Sequence, residues 1–206
     1  MNDTDYDRLL HIKTVGTLEV INQSAHYNRY EATPYKALDE FFTEYELIKT
    51  DRLVDFGSGK GRLPIYIQHK FHTSVIGIEM SNKLHREALE NLEIHSRKSK
   101  QKINSVTFEK CLAQDYEIKS NDNVFYFFNP FSVQIFMKVV ANILLSVDQH
   151  ERTVDLILYY PTTDYIQFLT TRTTFKFIKE VKVSGLYEHN ENERFLIFRF
   201  GVHKNK

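Results

Sequence analysis

The stretch "LVDFGSGKGRLPIYI", residues 53–67, decides the fold of this 206-residue chain. It holds three of the seven glycines of the chain, Gly57, Gly59 and Gly61, between two apolar runs. An apolar run that ends in glycines and continues with helical spacing predicts a strand, a tight turn and a helix. Glycine accepts positive φ and lets a ligand approach the backbone, and the first N–H groups of the helix are unpaired. The stretch therefore predicts a binding site for the polar end of a nucleotide-like ligand.

The spacing of the glycines distinguishes three classes of ligand. A phosphate-binding loop requires G-x-x-x-x-G-K-[ST], but here Lys60 is followed by Gly61 and Arg62. A dinucleotide site requires G-x-G-x-x-G, whereas this chain has G-x-G-x-G preceded by Asp55. The carboxylate suits a cationic ligand better than a pyrophosphate, and Lys60, out of register for phosphate, is expected to face solvent.

The motif "LVDFGSGKGR" resembles the first motif of class I S-adenosylmethionine-dependent methyltransferases, and the resemblance extends from about residue 30 to the end of the chain. It implies an enzyme that uses S-adenosylmethionine and a doubly wound α/β fold, a Rossmann-like seven-stranded sheet in the order 3-2-1-4-5-7-6. In that family the acidic residue engages the amino group of the cofactor and the glycine turn lies against its methionine part. The resemblance thus implies cofactor contacts from Asp55, Gly57, Ser58, Gly59, Gly61 and Arg62.

The remaining pattern agrees with such a sheet. Apolar or alternating runs predict strands over residues 52–56, 74–79, 103–110, 123–128 and 153–160, with helices over 61–70, 81–99, 132–147 and 162–171. Alternating strands and helices indicate a parallel sheet. Two further strands, 174–183 and 194–200, have no helix between them and predict an antiparallel pair at the C-terminal end. Residues 1–50 are expected to form a helical cap, with Thr33 capping a helix that starts at Pro34, on a core of residues 51–206 in one domain.

Further site residues are expected where the other strands end. Glu79 ends the second strand, where a carboxylate can accept both ribose hydroxyls, and Met80 could pack on the adenine. The alternative is that Glu79 only caps the next helix. After the third strand, the resemblance implies adenine contacts from the backbone of Leu112 and Ala113, with Gln114 or Asp115 nearby. Leu112 stands where the family often has an aspartate, and Cys111 is interpreted as a small buried residue.

The fourth strand ends in "FYFFNPF", in which Asn129, Pro130 and Phe131 resemble the [ND]-P-P-[FY] motif with one proline missing. Methyltransferases that act on amino or amide nitrogens use that motif, in which the amide oxygen and the backbone carbonyl of the next residue accept hydrogen bonds from the N–H₂ group. The resemblance therefore implies that these three residues face the methyl acceptor and that Asn129 also borders the cofactor. Catalysis would then consist of positioning and desolvation. The alternative is that Asn129 and Pro130 only end the strand and begin a helix. Tyr30, Thr33 and Pro34 precede the first strand and are candidates for a lid or for contacts to the cofactor.

Composition limits the remaining function classes. Lys plus Arg equals Asp plus Glu at 27 each, so the net charge offers no field that would attract nucleic acid. A small molecule or a protein side chain is therefore the expected methyl acceptor. One cysteine excludes an internal disulfide, no histidine spacing indicates a metal, and no apolar run reaches the roughly 20 residues of a membrane span. The expected location is the cytoplasm. Two alternatives stay open: a protein that binds the cofactor without transferring methyl groups, and a nicotinamide-dependent oxidoreductase.

Overall fold

The computed structural model describes residues 2–16, 28, 30–99 and 103–201. Its seven strands are β1 (Arg52–Phe56), β2 (Ser74–Ile78), β3 (Val106–Glu109), β4 (Val124–Phe128), β5 (Val154–Tyr159), β6 (Lys176–Lys182) and β7 (Arg194–Phe200). The helices of the described part are α1 (Asp3–Leu10), α2 (Tyr35–Glu44), α3 (Arg62–Phe71), α4 (Asn82–Ser99), α5 (Val133–Gln149) and α6 (Thr163–Arg172). A short 3₁₀ turn, Ala113–Asp115, follows β3.

The strands form one sheet in the order β3-β2-β1-β4-β5-β7-β6, which confirms the predicted order. The first five strands run parallel because a helix or a longer connection separates each from the next. Strand β7 pairs antiparallel with both β5 and β6, so the predicted antiparallel pair is also confirmed. From β1 the chain adds β2 and β3 on one side and then β4 and β5 on the other, so the strand order reverses between β1 and β4. Open α/β sheets bind ligands at the carboxyl ends of the strands at such a reversal.

The sheet has an apolar core on each face. Side chains alternate along a strand, so in β1 Val54 and Phe56 enter the core under α5 and α6, while Leu53 enters the core under α1, α2 and α3. Asp55, the residue between Val54 and Phe56, therefore points to the same side as Leu53. None of the helices in the described ranges is both long and apolar enough to cross a bilayer.

The N-terminal part differs from its prediction in one cap. Helix α2 begins at Tyr35, and Pro34, with φ of −56° and ψ of 138°, occupies the cap position without a side-chain hydrogen bond. The first backbone N–H of the helix, that of Tyr35, donates instead to the Asp3 carboxylate at 3.1 Å. The Thr33 hydroxyl instead forms a hydrogen bond of 2.7 Å with the phenol of Tyr126 on β4. The expected Thr33 cap is therefore wrong, because the Thr33 hydroxyl is the partner of a buried phenol while Asp3 supplies the acceptor at the helix start. Residues 17–27, part of the expected helical cap, lie outside the described residues.

Helices α5 and α6 pack through Phe136, and this contact allows a direct test of the core. The Phe136 ring is fully buried and stacks on Tyr165 at a centroid distance of 3.8 Å. We expect Phe136→Ala to lower the free energy of unfolding by about 3–5 kcal/mol, since it removes a large buried ring and leaves a cavity. Met137→Ala, one residue further along α5 and exposed, should change it by less than about 0.5 kcal/mol. Equal losses in urea denaturation would contradict this packing.

Candidate functional site

The glycine turn joins β1 to α3 and is bound to the end of β2. The backbone N–H groups of Gly57 and Ser58 both donate to the carbonyl oxygen of Ile78, at 2.9 and 3.0 Å. Gly57, Gly59 and Gly61 all have positive φ, of 83°, 55° and 84°. Gly61 occupies the cap position of α3, so the turn leads directly into the N-terminus of that helix. The predicted strand, turn and helix are thus confirmed.

Each glycine of the turn also lies against a different part of the chain. A Cβ atom on Gly57 would lie 2.7 Å from Cβ of Pro130, and one on Gly59 would lie 2.2 Å from the ring of Tyr30. At Gly61 the nearest atom would be Cζ of Phe108, at 2.6 Å. Alanine would therefore need both a strained φ and a displaced neighbour at all three positions. The turn is enclosed by the β4–α5 loop, the N-terminal segment and β3.

Asp55 is a buried carboxyl group beside the glycine turn. Its side chain is 4% exposed, and no described residue forms a hydrogen bond with its carboxyl group. Burial, together with the nearby charge of Glu79, raises the pKa of Asp55 to about 8. The Ser58 hydroxyl is likewise buried without a hydrogen-bond partner in the described part of the chain. Both line a small chamber, the Asp55 chamber, whose wall also includes Tyr30, Glu31, Thr33, Gly57, Arg62, Tyr126 and Phe128.

Glu79 connects the glycine turn to the start of α4. Its carboxylate accepts hydrogen bonds from the backbone N–H of Gly59 at 3.0 Å and of Ser81 at 2.8 Å. Burial raises its pKa, and the backbone N–H groups oppose that shift by stabilising the charged form. The capping alternative accounts for the bond to Ser81, which precedes α4. It does not account for the bond to Gly59.

A cleft, here called the glycine-turn cleft, opens beside the turn. Six of the site residues predicted from the sequence line this cleft: Gly57, Glu79, Met80, Ala113, Pro130 and Phe131. Leu112 is not part of this lining; its carbonyl group accepts from Asp115 in the 3₁₀ turn. Cys111 also lines the cleft and is only half-buried, which corrects the expectation of a buried residue. Burial and Glu109 raise the pKa of the Cys111 thiol to about 11, so it stays protonated and is a poor nucleophile.

A second cavity, the Asn129 cavity, adjoins the cleft at the carboxyl ends of β4 and β5. It is lined by Asn28, Glu31, Pro34, Phe128, Asn129, Tyr159, Tyr160 and Glu193, and it shares three of these residues, Asn28, Glu31 and Phe128, with the cleft. Asn129 and Tyr160 both have positive φ, of 40° and 51°, a conformation that non-glycine residues adopt rarely and often at functional sites. Glu31, Tyr160 and Glu193 were not identified from the sequence.

The N-terminal segment closes over the turn. Arg62 is 4% exposed, and its guanidinium donates to the Thr14 hydroxyl at 2.7 Å, to the Thr33 carbonyl at 3.0 Å and to the Asp3 carboxylate. The Tyr30 phenol donates to the Thr14 carbonyl at 2.8 Å. Three donors of Arg62 are thus engaged by the N-terminal segment rather than directed at a ligand.

Two further contacts complete this closure. Asn28 donates through its backbone N–H to the Pro130 carbonyl at 3.1 Å and through its side-chain amide to the Asn129 carbonyl at 2.6 Å. The Lys60 side chain is only 13% exposed, because its ammonium lies 5.2 Å from the centroid of the Tyr30 ring and 3.4 Å from Glu87. The expectation that Lys60 faces solvent is therefore wrong; the ring and the carboxylate hold it against the protein surface.

Comparisons with known proteins rest on structure alone. No protein-family model matches the sequence, and a sequence search of curated proteins finds no match. An RNA methyltransferase from Salinibacter ruber, solved in complex with S-adenosyl-L-homocysteine, is similar with a TM-score of 0.59 and 17% identity, over 85% of this chain and 96% of that one. A SAM-dependent methyltransferase from Thiobacillus denitrificans, also with S-adenosyl-L-homocysteine, gives 0.55 and 15%, over 83% and 92%.

A third similar structure has a different acceptor. Geranyl diphosphate C-methyltransferase from Streptomyces coelicolor, in complex with Mg²⁺, geranyl diphosphate and S-adenosyl-L-homocysteine, gives a TM-score of 0.53 and 10% identity, over 80% of this chain and 77% of that one. This chain therefore has the fold of the class I S-adenosylmethionine-dependent methyltransferases, with the seven-stranded sheet that the resemblance implied. The acceptors of these neighbours differ, so the fold does not specify an acceptor.

The state of Asp55 can be tested through stability. A carboxyl group with a pKa near 8 in the folded chain and about 3.9 in the unfolded chain binds more protons when folded between those values. The free energy of unfolding of the wild type should therefore fall relative to Asp55→Asn as the pH rises from about 4 to about 8. Urea denaturation of both proteins across this range measures the difference. A difference that does not depend on pH would show that Asp55 is not buried as an acid.

Proposed function

We propose that this chain is an S-adenosylmethionine-dependent methyltransferase that methylates a nitrogen atom of a small molecule or a protein. The observation that carries the proposal is the Asp55 carboxyl group, buried without a hydrogen-bond partner from the described residues beside the glycine turn. A carboxyl group in that state favours a ligand that brings its own positive charge, since pairing with a cation offsets the cost of burying the carboxylate. The α-ammonium group of S-adenosylmethionine is such a charge.

The other polar groups suit the remaining parts of this cofactor. The Ser58 hydroxyl has no partner among the described residues. The turn presents backbone at the N-terminus of α3, where an anionic group such as the methionine carboxylate is stabilised. Glu79 lies at the carboxyl end of β2, where it can accept ribose hydroxyls in place of the Gly59 N–H. Met80 and Ala113 line the cleft and are proposed to border the adenine, together with the backbone of Leu112, which precedes Ala113 but lies outside the lining.

The chemistry depends mainly on placement. When bound, S-adenosylmethionine supplies a methyl group on a sulfonium sulfur. A nucleophile can attack the methyl carbon and displace the sulfur as a neutral thioether, without a covalent intermediate on the protein. Asn129, Pro130 and Phe131 are proposed to align that nucleophile. Their loop is held rigidly, because the Tyr165 phenol donates to the Phe131 carbonyl at 2.5 Å and Phe131 is buried. Fixed alignment and exclusion of water are then the sources of rate enhancement.

The Asn129–Phe131 loop differs in one respect from what the motif implied. The carbonyl groups of Asn129 and Pro130 both accept hydrogen bonds from Asn28, so these acceptors are already in use in this structure. The Asn129 side-chain amide is therefore the proposed contact to the acceptor nitrogen, and Asn28 is proposed to hold the loop. Arg62 is proposed to act on the cofactor indirectly, by holding the lid residues Tyr30, Thr33 and Pro34 in place.

The N-terminal helices and the sheet belong together in the proposed enzyme. Residues 1–206 are proposed to form one methyltransferase domain, because the N-terminal helices α1 and α2 share a core with the sheet. A protein that binds the cofactor without methyl transfer would have the same Asp55 site. A nicotinamide-dependent oxidoreductase is disfavoured, since the pyrophosphate of NAD would meet Asp55 and Glu79 at the glycine turn.

Calorimetry with purified protein tests the cofactor assignment. We expect S-adenosylmethionine and S-adenosylhomocysteine to bind the wild type, and Asp55→Asn to weaken both by about 10- to 100-fold, the value of a lost hydrogen bond between charged groups. Asp148→Asn, on the exposed end of α5, is the matched control and should bind as the wild type does.

The same titrations separate the alternatives. Binding of NAD with none for S-adenosylmethionine would refute the proposed function and favour the oxidoreductase. Cofactor binding without formation of S-adenosylhomocysteine from any cell fraction would favour the non-catalytic alternative. Unchanged affinity in Asp55→Asn would show that the ammonium group binds elsewhere.

A further inference from the structure

The Asn129 cavity carries an unusual set of charges. Two of its lining residues, Glu31 and Glu193, are acidic, and none of its lining residues in the described part of the chain is a lysine or an arginine. Glu31 is exposed and forms no hydrogen bond or ion pair with any described residue. It also lines the glycine-turn cleft and the Asp55 chamber, so it stands where the three spaces meet.

The negative charge of the carboxylates around the three spaces is larger than the positive charge that the proposed cofactor brings. S-adenosylmethionine has an ammonium, a sulfonium and a carboxylate group, and so brings one net positive charge to Asp55 and Glu79. Glu31 and Glu193 then leave the neighbouring cavity with uncompensated negative charge. A cation of the acceptor would supply the missing charge, whereas a phosphate or carboxylate would be repelled.

We propose that the Asn129 cavity is the acceptor site and that it selects a cationic amine, either a free small amine or the side chain of a lysine. This inference rests on the proposed function and specifies its acceptor. The cavity lies at the ends of β4 and β5 and shares Phe128 and Glu31 with the cleft, so an acceptor bound there is adjacent to the proposed cofactor.

The wall of the cavity offers both hydrogen-bond acceptors and aromatic faces to such a group. One oxygen of the Glu193 carboxylate accepts from the Tyr159 phenol, and the other has no partner among the described residues. The Tyr160 phenol oxygen accepts from Asn190 at 2.8 Å, which fixes the ring in place. Phe128 and Tyr159 pack edge to face at 4.7 Å and form an aromatic wall, a surface that attracts ammonium groups.

The transfer step balances in charge and in electrons. An ammonium nitrogen must first lose one proton. Water can accept this proton at the side of the cavity where Glu31 is exposed to solvent. The nitrogen lone pair then forms the new N–C bond while the C–S bond breaks, and the sulfur keeps the electron pair of that bond as a neutral thioether. The product is again a cation, now an N-methyl ammonium group. The Asn129 amide oxygen can accept a remaining N–H and so direct the lone pair.

A transfer assay with the full chain tests the chemistry of the acceptor. Methyl-labelled S-adenosylmethionine is incubated with a cell extract separated into RNA, protein, small molecules that a cation exchanger retains at neutral pH, and small molecules that it does not retain. Charcoal then removes adenosyl compounds. We expect the label in the retained small molecules, or in protein as methylated lysine after acid hydrolysis, and these two results distinguish the two sources of the amine.

The other results would overturn the inference. Label in unretained small molecules or in protein residues other than lysine would show that the cavity does not select a cationic amine, while methylation of a small molecule or a protein would stand. Label in RNA would overturn this inference and the proposed class of acceptor, and only S-adenosylmethionine-dependent methyl transfer would stand. No label in any fraction, with the cofactor bound in calorimetry, would overturn the proposed function together with this inference.

A matched pair of variants tests the cavity itself, with the labelled amine as the probe. Glu193→Gln removes the charge but keeps an oxygen for the Tyr159 hydrogen bond, and Glu191→Gln removes an exposed charge two residues away. We expect Glu193→Gln to raise both the KM of the amine and its Kd for the S-adenosylhomocysteine-loaded protein about tenfold, with cofactor affinity unchanged. Glu191→Gln should leave all three constants unchanged. Equal amine affinity in the two variants would overturn the assignment.

Discussion

The site depends on one constraint, the buried Asp55 carboxyl group, which has no hydrogen-bond partner in the described part of the chain. It lies inside β1, the strand next to the reversal of strand order, on the face covered by α1, α2 and α3. Burying it costs free energy that no described hydrogen bond offsets, and the raised pKa expresses that cost. Natural proteins keep such groups chiefly where a ligand completes them. The glycine turn, Ser58 and Glu79 are arranged around this one carboxyl group.

The N-terminal segment completes the enclosure, and one buried cation holds it. Arg62 begins α3 directly after the turn, so its guanidinium reaches Thr14, Thr33 and Asp3 at the same time. Those bonds hold the Tyr30 ring against Gly59, so closely that a Cβ atom at position 59 would collide with the ring. Closure of the cleft and the shape of the turn are therefore coupled. A ligand in the cleft must either fit beneath Tyr30 or displace it.

Much of the fold could be predicted because local patterns specify it. Apolar runs separated by helical periods indicate parallel strands, and the missing helix before 194–200 indicates the antiparallel pair. The turn residues share one local motif, so their proximity was also predictable. The Thr33 cap and the exposure of Lys60 were predicted wrongly, because each depends on a partner distant in sequence, the Tyr126 phenol in one case and the Tyr30 ring in the other.

The Asn129 cavity shows the limit of prediction from one sequence. Glu31 precedes the first strand and Glu193 precedes the last, and only the return of β7 beside β5 brings the two into one cavity. No spacing rule connects residues so far apart in the chain. Asn129 was identified through its resemblance to a family motif, whereas Tyr160, at the end of the next strand, has no motif to mark it.

Proton release on cofactor binding tests the central claim most directly. If Asp55 is protonated in the free protein at neutral pH and ionises against the ammonium group, S-adenosylhomocysteine binding should release close to one proton more in the wild type than in Asp55→Asn. Calorimetry at about pH 7 in buffers of different ionisation enthalpy measures this number, and the difference between the two proteins cancels the ionisation of the ligand. Equal proton release in both would contradict the account, because Asp55 would then not be the group that binds the cofactor's charge.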